Sequence, residues 1–421
     1  MNTTNKKPVK IAVIGAGSRG TYAYAPHALK YPDQMQITAV AEPNEYRRKK
    51  FAEMYNIPEE NQFVSWEPLL ENHNCDGVII SNQDADHFDP LLKSMELGLS
   101  ILMEKPVTNN RGEARELLKK IEAYDKPLLI CHVLRYTDFF MELKKLLDEN
   151  AIGELISIQH NENVGHFHQA HSFVRGHWRK TEGSSPMILA KCCHDLDILN
   201  WLNGTDCKKL SSFGSLTNFR KDKAPEGAPE RCFDGCPVEK TCPYSAYRYL
   251  GKADDESNIP TFAQVVRDHG ETDDLEAALK SGPYGRCVYH CDNDVVDNQV
   301  VIMEYEGGKT ASLIMSAFND RTGRTVKLMG VNGEIRGYME KNEIEITDFR
   351  TGAVKNINLK VSESGHGGGD EGMIMEFLSQ IENPDIQGMQ RGNRQGLLGH
   401  LMAFAAEESR LTNSVIMDSQ F

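Results

Sequence analysis

The sequence predicts an α/β protein whose first domain contains a doubly wound parallel sheet. Short apolar runs alternate with helical stretches through residues 1–132, which is typical of such a sheet. From residue 133 to residue 421 the strand-like runs are longer and alternate apolar with polar residues, as in a sheet with one solvated face. A chain of 421 residues is long enough for two domains with separate cores.

A glycine-rich turn follows the first predicted strand, at residues 9–14. Its sequence is Gly-Ala-Gly-Ser-Arg-Gly, with the pattern G-x-G-x-x-G at a strand-to-helix junction. In this pattern the first glycine permits a tight turn, the second admits a pyrophosphate, and the third lets helix and strand pack closely. Free N–H groups at the helix start then face the phosphates. We therefore expect the turn to bind a dinucleotide through Gly15, Gly17, Ser18, Arg19 and Gly20.

An acidic residue marks the end of the second predicted strand, at residues 35–41. Glu42 lies about 20 residues beyond the glycines, where a carboxylate holds the adenosine ribose. This position favours NAD. Arg47 and Arg48 follow closely and are of the type that accepts a 2′-phosphate, so NADP is the less favoured alternative.

Further strands are predicted at residues 77–80, 99–103 and 127–130. Ligands of such sheets bind beyond the carboxyl ends of the strands, so the residues that follow each strand are candidates. Lys105 precedes a proline, which holds it in an extended segment. On position alone, the expected cofactor contacts at these strand ends are Asn82, His87 and Glu104.

A polar stripe is predicted on a helix between Pro186 and Leu202, which Asn203-Gly204 would end. Lys191, His194 and Asp195 are spaced i, i+3 and i+4 and would share one face. Three such groups together would perturb each other's pKa values, as in an active site. A solvated polar face with no catalytic role is an equally weighted alternative.

Together these motifs resemble the Gfo/Idh/MocA family of NAD(P)-dependent oxidoreductases over essentially the whole chain. The resemblance is carried by the glycine motif, by Glu104-Lys105-Pro106 and by the helix with His194 and Asp197. It implies an N-terminal Rossmann domain and a C-terminal α/β domain with a large open, mostly antiparallel sheet. It also implies a small carbohydrate or cyclitol substrate and a homodimer or homotetramer.

The resemblance also implies residue roles. Lys105 would contact substrate near the nicotinamide, and His194 would be the acid/base. Many members carry an aspartate four residues before this histidine, whereas this chain has Ala190 there. We therefore expect Lys191 to share the catalytic role, and Asp195 or Asp197 to orient the imidazole or bind a substrate hydroxyl.

A segment rich in histidine, aromatic residues and arginine spans residues 165–179. Aromatic rings stack on sugar faces and charged donors bind hydroxyls, so this composition suits a polyhydroxylated ligand. The histidine spacing fits no helical pair of metal ligands. The residues predicted to face substrate in and near this segment are Glu162, His168, Arg175 and Trp178.

A cysteine-rich insert is predicted at about residues 220–291. Three closely spaced cysteines and a distant one can supply the four thiolates of a tetrahedral structural zinc site. Cys-Pro pairs also occur in iron–sulfur sites, and free buried thiols are the third alternative. The expected zinc ligands are Cys232, Cys236, Cys242 and Cys287, with Cys291 as a substitute for the last.

Charge and composition exclude other classes. The net charge of −14 argues against a nucleic-acid partner or an anionic membrane surface. No run approaches membrane-spanning length and the first residues lack an apolar signal core, so we expect a cytoplasmic location.

The predicted activity is hydride transfer between NAD(P) and a ring carbon of a sugar or cyclitol. Arg19 and the missing aspartate are also compatible with a glycoside-cleaving enzyme or epimerase that oxidises its sugar only transiently. A non-catalytic nucleotide-sensing or scaffold protein is the third hypothesis.

Overall fold

A computed structural model describes residues 7–72, 74–251, 259–360 and 365–421. The chain divides into two compact units. Unit 1 comprises Met1–Met141 and Ser362–Leu401, and unit 2 comprises Glu142–Val361 and Met402–Phe421. Residues 252–258 of the predicted cysteine-rich insert lie outside the described residues.

Unit 1 contains a six-stranded parallel sheet with the order β3-β2-β1-β4-β5-β6. The order reverses between β1 and β4, which confirms the predicted doubly wound sheet and places a ligand-binding edge at that point. Its strands are β1 (Val9–Ile14), β2 (Met35–Ala41), β3 (Gln62–Phe63), β4 (Gly77–Ile80), β5 (Ser100–Met103) and β6 (Leu128–Ile130). The helices around it are Pro26–Lys30, Glu45–Tyr55, Trp66–Asn72, Phe88–Glu96, Arg111–Ala123 and Gly369–Glu382.

Both faces of this sheet are buried, as β1 shows. Ile11 and Val13 lie in one apolar cluster, whereas Ala12 and Ile14 lie in another. Successive side chains of a strand point to opposite faces, so the two clusters are the two sides of the sheet. When both faces of a strand are buried, all of its residues tend to be apolar. The sequence therefore predicted these strands as continuous apolar runs.

The returning segment Ser362–Leu401 completes the core of unit 1. Met373, Phe377 and Leu378 of helix Gly369–Glu382 join the cluster that contains Ile11 and Val13. Leu397 joins the other cluster. Leu397 belongs to helix Ile386–Thr412, and another helix spans Asp138–Asp148.

Unit 2 contains a nine-stranded sheet with the order β14-β13-β12-β11-β7-β10-β9-β8-β15. Its neighbouring strands are antiparallel except β7 and β10, which confirms the mostly antiparallel sheet. The strands are β7 (Leu155–Gly165), β8 (Cys207–Ser215), β9 (Asn298–Tyr305), β10 (Thr310–Asn319), β11 (Gly323–Gly330), β12 (Gly333–Tyr338), β13 (Glu343–Asp348), β14 (Val354–Asn358) and β15 (Ile416–Met417).

Helix Cys193–Asn203 contacts β7 and β10 at the middle of this sheet. A shorter helix, Met187–Ala190, precedes it, and Ile259–Gly270 and Leu275–Ser281 lie within the insert. Gly204 ends the central helix in the left-handed conformation at φ +75°, which confirms the predicted stop. Across the described ranges, no helix has both the length and the apolarity that crossing a membrane requires.

Candidate functional site

The glycine-rich turn of unit 1 packs tightly at two of its three glycines. Gly15 has φ +94°, and a Cβ there would lie 2.5 Å from the backbone nitrogen of Asn82. A Cβ on Gly20 would lie 2.3 Å from the carbonyl oxygen of Gly15. Gly17 differs, because no heavy atom lies within 4 Å of its Cβ position. The open side at Gly17 fits a pyrophosphate held against the backbone, and Ser18 directly precedes the helical turn Arg19–Tyr24.

Glu42 lies against this turn. Its Oε2 accepts a hydrogen bond of 3.0 Å from the backbone nitrogen of Ala16, and its Oε1 accepts one of 2.8 Å from Nη2 of Arg47. The carboxylate is nearly fully buried. Glu42 therefore joins the glycine-rich turn to Arg47, at the end of β2 where a ribose-binding carboxylate was predicted.

Arg19 is held by two carboxylates. Its Nε donates to Oε1 of Glu104 at 2.5 Å, and its Nη2 donates to Oδ1 of Asp370 at 2.7 Å. Glu104 also accepts a hydrogen bond of 2.7 Å from the Tyr24 hydroxyl. Burial would raise the pKa of Glu104, but the charges of Arg19 and Lys105 and the hydrogen bonds from Arg19 and Tyr24 together outweigh burial, so that pKa lies below its usual range. Arg19 and Glu104, both predicted cofactor contacts, are thus partners of each other.

His87 connects the segment that follows β4 with the segment that follows β5. One ring nitrogen lies 2.6 Å from the carbonyl oxygen of Pro106, and the other lies 3.1 Å from that of Asn82. The Lys105–Pro106 peptide bond is cis, and the backbone nitrogen of Lys105 donates to Oε2 of Glu104 at 2.6 Å. Asn82, His87, Glu104 and Lys105 therefore share one edge of the sheet, as their strand-end positions predicted.

Unit 2 contains a buried network of ion pairs on the face of its sheet. Arg324 of β11 lies opposite Glu162 of β7 in the register of the two strands, and their side chains form an ion pair. Nε of Arg324 also donates to Oδ1 of Asp195 at 2.8 Å. The same oxygen lies 2.8 Å from Nε2 of His160, and Nζ of Lys191 lies 3.4 Å from Oε1 of Glu162.

The pKa values of the two carboxyls in this network are shifted in opposite directions. Burial would raise the pKa of Asp195, but Arg324 and the hydrogen bond with His160 outweigh it, so the pKa lies below its usual range. Burial raises the pKa of Glu162, and the contacts with Arg324 and Lys191 offset it only in part because they lack hydrogen-bond geometry. Two neighbouring carboxyls whose pKa values are shifted in opposite directions are typical of a site for general acid–base chemistry.

The continuous helix predicted from Pro186 to Leu202 is wrong, since two helices meet at Lys191 and Cys192. Cys192 has φ −87° and ψ 3° and forms the start of the second helix. His194 is 4% exposed and Asp195 is 0% exposed. The alternative of a solvated polar face is therefore wrong for these two residues. Lys191 stands outside the helix, with its side chain 11% exposed beside Glu162.

The remaining predicted substrate residues are dispersed within unit 2. Asp197 is fully buried, and Trp178 is partly buried. His168 lies 3.2 Å from the Thr322 hydroxyl through its Nδ1. Arg175 is placed elsewhere: it is 0% exposed and lines a cavity with cysteines of the insert.

The predicted metal ligands Cys232, Cys236, Cys242 and Cys287 all line this cavity. Among the described residues, however, no group of three or more His, Cys, Asp or Glu side chains is arranged to hold a metal ion. A tetrahedral zinc ion needs its sulfurs about 2.3 Å from a common centre. The structure therefore gives the zinc prediction no support.

Sequence reasoning missed His160 and Arg324. His160 precedes Glu162 by two residues on a strand, so both point to the same face, and this spacing was a usable signal. Arg324 is buried two residues before Val326, which is also buried, so it occupies an inward position of β11. Its partner could not be deduced, because pairing with Glu162 depends on the register of two strands far apart in sequence.

Comparisons with known proteins agree with this architecture. The family model described as "Oxidoreductase family, NAD-binding Rossmann fold" matches residues 9–132, and the model "Oxidoreductase family, C-terminal alpha/beta domain" matches residues 144–390. The putative oxidoreductase YteT of Bacillus subtilis is 23% identical, with 89% of each chain covered. Inositol 2-dehydrogenase of Corynebacterium glutamicum (strain R) is 26% identical over 47% of this chain and 55% of its own length.

Solved structures share the fold over nearly the full length. An oxidoreductase from Agrobacterium radiobacter in complex with NAD+, L-tartaric acid and magnesium has a TM-score of 0.68 at 14% identity, with 98% of both chains covered. The myo-inositol 2-dehydrogenase of Lactobacillus plantarum has a TM-score of 0.64 at 16% identity, covering 98% of this chain and 99% of its own. With two family models spanning most of the chain, the protein belongs to the Gfo/Idh/MocA family of oxidoreductases.

Proposed function

We propose that this oxidoreductase transfers a hydride between C4 of the nicotinamide of NAD and a ring carbon of a sugar or cyclitol. The observation that carries the proposal is the buried Arg324–Glu162–Asp195 network, in which Lys191 lies beside Glu162. The names of inositol 2-dehydrogenase relatives and neighbours support a polyhydroxylated ring as substrate. NAD, when bound, supplies the hydride acceptor.

The residues of this chain then manage charge and protons. Hydride loss from a carbinol requires removal of the hydroxyl proton, and His194 is the proposed base. Lys105 and Lys191 stabilise the developing alkoxide as cations. Arg324 and His160 hold the carboxylate of Asp195 in place. Asp197 is a candidate for orienting the imidazole of His194 or binding a substrate hydroxyl. His168 and Trp178 remain candidate substrate contacts, whereas the position of Arg175 supports a different role, argued below.

The first test is to denature the purified protein and identify any released nucleotide and its redox state by mass spectrometry and absorbance. We expect little retained nucleotide, reversible binding of added NAD, and formation of NADH when the correct sugar or cyclitol is supplied. Tightly retained NAD without net turnover would instead support glycoside cleavage or epimerisation by transient oxidation. Absence of any NAD binding would overturn the enzymatic proposal and favour the scaffold alternative.

Glu42 is expected to set the preference for NAD. Changing Glu42→Ala removes a charged acceptor and frees Arg47, so the dissociation constant of NAD should rise about tenfold or more while that of NADP falls. Titration of intrinsic fluorescence with each nucleotide measures both constants. Glu45→Ala is the matched control, since Glu45 is exposed and pairs with Lys49 at the surface. Unchanged selectivity in Glu42→Ala would show that the ribose is bound elsewhere.

Lys105 is expected to act in turnover and not in cofactor binding. Changing Lys105→Ala should lower kcat by about 10²–10³-fold, which is the usual cost of losing one charge-stabilising donor. The dissociation constant of NAD should stay within twofold, and Lys119→Ala, an exposed lysine of helix Arg111–Ala123, is the control. Near-normal turnover of Lys105→Ala would remove this residue from the mechanism.

The oligomeric state and the cytoplasmic location stay predictions. Exposed apolar side chains on neighbouring strands of the unit 2 sheet support the homodimer or homotetramer: Phe213 is 58% exposed, Ile302 55% and Ile314 47%. Such a patch is typical of an interface between protein surfaces. Light scattering of the purified protein measures the mass directly, and a monomer at all concentrations would exclude the assembly.

A further inference from the structure

Four cysteines of the insert converge on one cavity although they are spread over 56 positions of the sequence. Cys232 and Cys287 are brought together by an isolated antiparallel bridge between Arg231 and Arg286. Two backbone hydrogen bonds hold them: Cys232 nitrogen to Gly285 oxygen at 3.0 Å, and Cys287 nitrogen to Glu230 oxygen at 2.9 Å. The bridge therefore places Cys232 and Cys287 diagonally across from each other, without any covalent link between them, and both side chains line the cavity.

Cys236 and Cys242 enter the same cavity from a series of tight turns. Glu239 nitrogen donates to the carbonyl oxygen of Cys236 at 3.3 Å, and Cys242 nitrogen donates to that of Val238 at 2.9 Å. Each of these two cysteines is followed by proline. Proline contributes no N–H donor and restricts the residue before it to an extended backbone, so both cysteines sit in rigid turns.

A buried arginine faces the thiols. Arg175 is 0% exposed, and its Nε and Nη2 donate to the carbonyl oxygens of Arg286 and Tyr244 at 2.7 and 2.6 Å. Nη2 also lies 3.7 Å from Sγ of Cys232. Its Nη1 is buried without a hydrogen-bond partner. Burying a cation with an unmet donor is costly unless an anion lies next to it, so Arg175 is suited to face an anionic group in the cavity.

The lack of a single-ion ligand group among the described residues bears on the kind of metal centre that this cavity could hold. A single tetrahedral zinc ion would draw its four sulfurs to within about 3.8 Å of one another. The described residues contain no such single-ion group, yet all four thiols line the same cavity. An iron–sulfur cluster also takes four thiolates but distributes them over more than one iron, so its ligands lie farther apart around the centre. Such clusters are negatively charged and accept hydrogen bonds at sulfur, which Arg175 can donate.

We propose that Cys232, Cys236, Cys242 and Cys287 bind an iron–sulfur cluster, with Arg175 as its buried counter-charge and hydrogen-bond donor. The cluster orders the insert, whose own apolar clusters are small and separate from those of unit 1. This site is independent of the hydride-transfer proposal, because none of its residues is assigned a part in that reaction.

The first experiment is to purify the full chain without oxygen and to quantify iron, zinc and acid-labile sulfide. We expect iron and sulfide in equal amounts, about two or about four of each per chain, with visible thiolate-to-iron absorption. Mössbauer spectroscopy of the wild-type protein should show irons in a tetrahedral sulfur environment. Stoichiometric zinc without sulfide, or neither metal nor sulfide, would overturn the proposal.

A pair of variants then tests the ligand set. Cys242→Ser should lose at least half of the iron, whereas Cys291→Ser should retain it, because Cys291 comes from the same segment as Cys287 but does not line the cavity. Equal loss in both variants, or full retention in Cys242→Ser, would contradict the assignment. If Cys242→Ser does not fold, the iron, sulfide and Mössbauer measurements on the wild-type protein still decide the proposal.

Discussion

Replacing His194 with glutamine is expected to lower turnover by about 10²–10⁴-fold, the usual contribution of a general base. Glutamine has a similar size and can still form hydrogen bonds, but it cannot accept the hydroxyl proton at neutral pH. His194 is 4% exposed on the helix that also carries Asp195, so its position is set by the same packed element. Steady-state kinetics with the substrate found in the screen, measured as a function of pH, checks this result.

The control for His194→Gln is His177→Gln, an exposed histidine of the same unit. We expect the control to keep its rate and pH profile, while His194→Gln loses the limb of the profile that reports the base. NAD binding should be unaffected in both variants. If His194→Gln keeps a normal rate and profile, the base lies elsewhere, and Lys191 beside Glu162 becomes the first alternative.

Changing Arg324→Met is expected to destabilise the folded protein by about 3–5 kcal/mol. Arg324 is almost fully buried and forms ion pairs with both Glu162 and Asp195, which are themselves fully buried. Removing the cation leaves two carboxylates without their shared counter-charge, and Lys191 and His160 compensate only in part. Chemical denaturation followed by circular dichroism measures the change. Arg336→Met on β12 is the control, since that arginine is largely exposed, and its effect should be below about 1 kcal/mol.

The effect of Arg324→Met should depend on pH. The lowered pKa of Asp195 contributes stability above the pKa of an unfolded aspartate, about 3.9, and this contribution is lost as the pH falls through the folded-state value. The raised pKa of Glu162 has the opposite sign and opposes folding above about 4.3. In the variant both carboxyls are protonated more readily, so the stability difference from wild type should be largest near neutrality and shrink on acidification. A difference that stays constant down to acidic pH would show that Arg324 acts through packing and not through charge.

Most of the parallel sheet could be predicted closely because its central strands are buried on both faces and are bounded by turn residues, whereas the short, partly buried β3 was not predicted. Val9–Ile14, Met35–Ala41 and Gly77–Ile80 match the predicted ranges. The tight packing expected at Gly15 and Gly20 and the open side expected at Gly17 are present. These features depend on local sequence, which is why they could be deduced without knowledge of distant contacts.

The site in unit 2 was less predictable because its contacts join distant strands. Glu162 was singled out as a substrate contact, but its partner Arg324 becomes apparent only from the pairing of β7 with β11. The helical periodicity that grouped Lys191 with His194 is interrupted at Cys192, a residue with no sequence signal for a break. Arg175 was assigned to substrate by composition, whereas its side chain lies among the cysteines.

The division of unit 1 between the two ends of the chain has a consequence for biosynthesis. The ribosome delivers Met1–Met141 first, but Met373, Phe377 and Leu378 of the same core are made more than 200 residues later. Until helix Gly369–Glu382 emerges, the nascent first segment lacks the side chains that complete one of its two apolar clusters. We therefore expect a gene fragment ending at Met141 to yield a polypeptide with an incomplete core that aggregates more readily than the full chain.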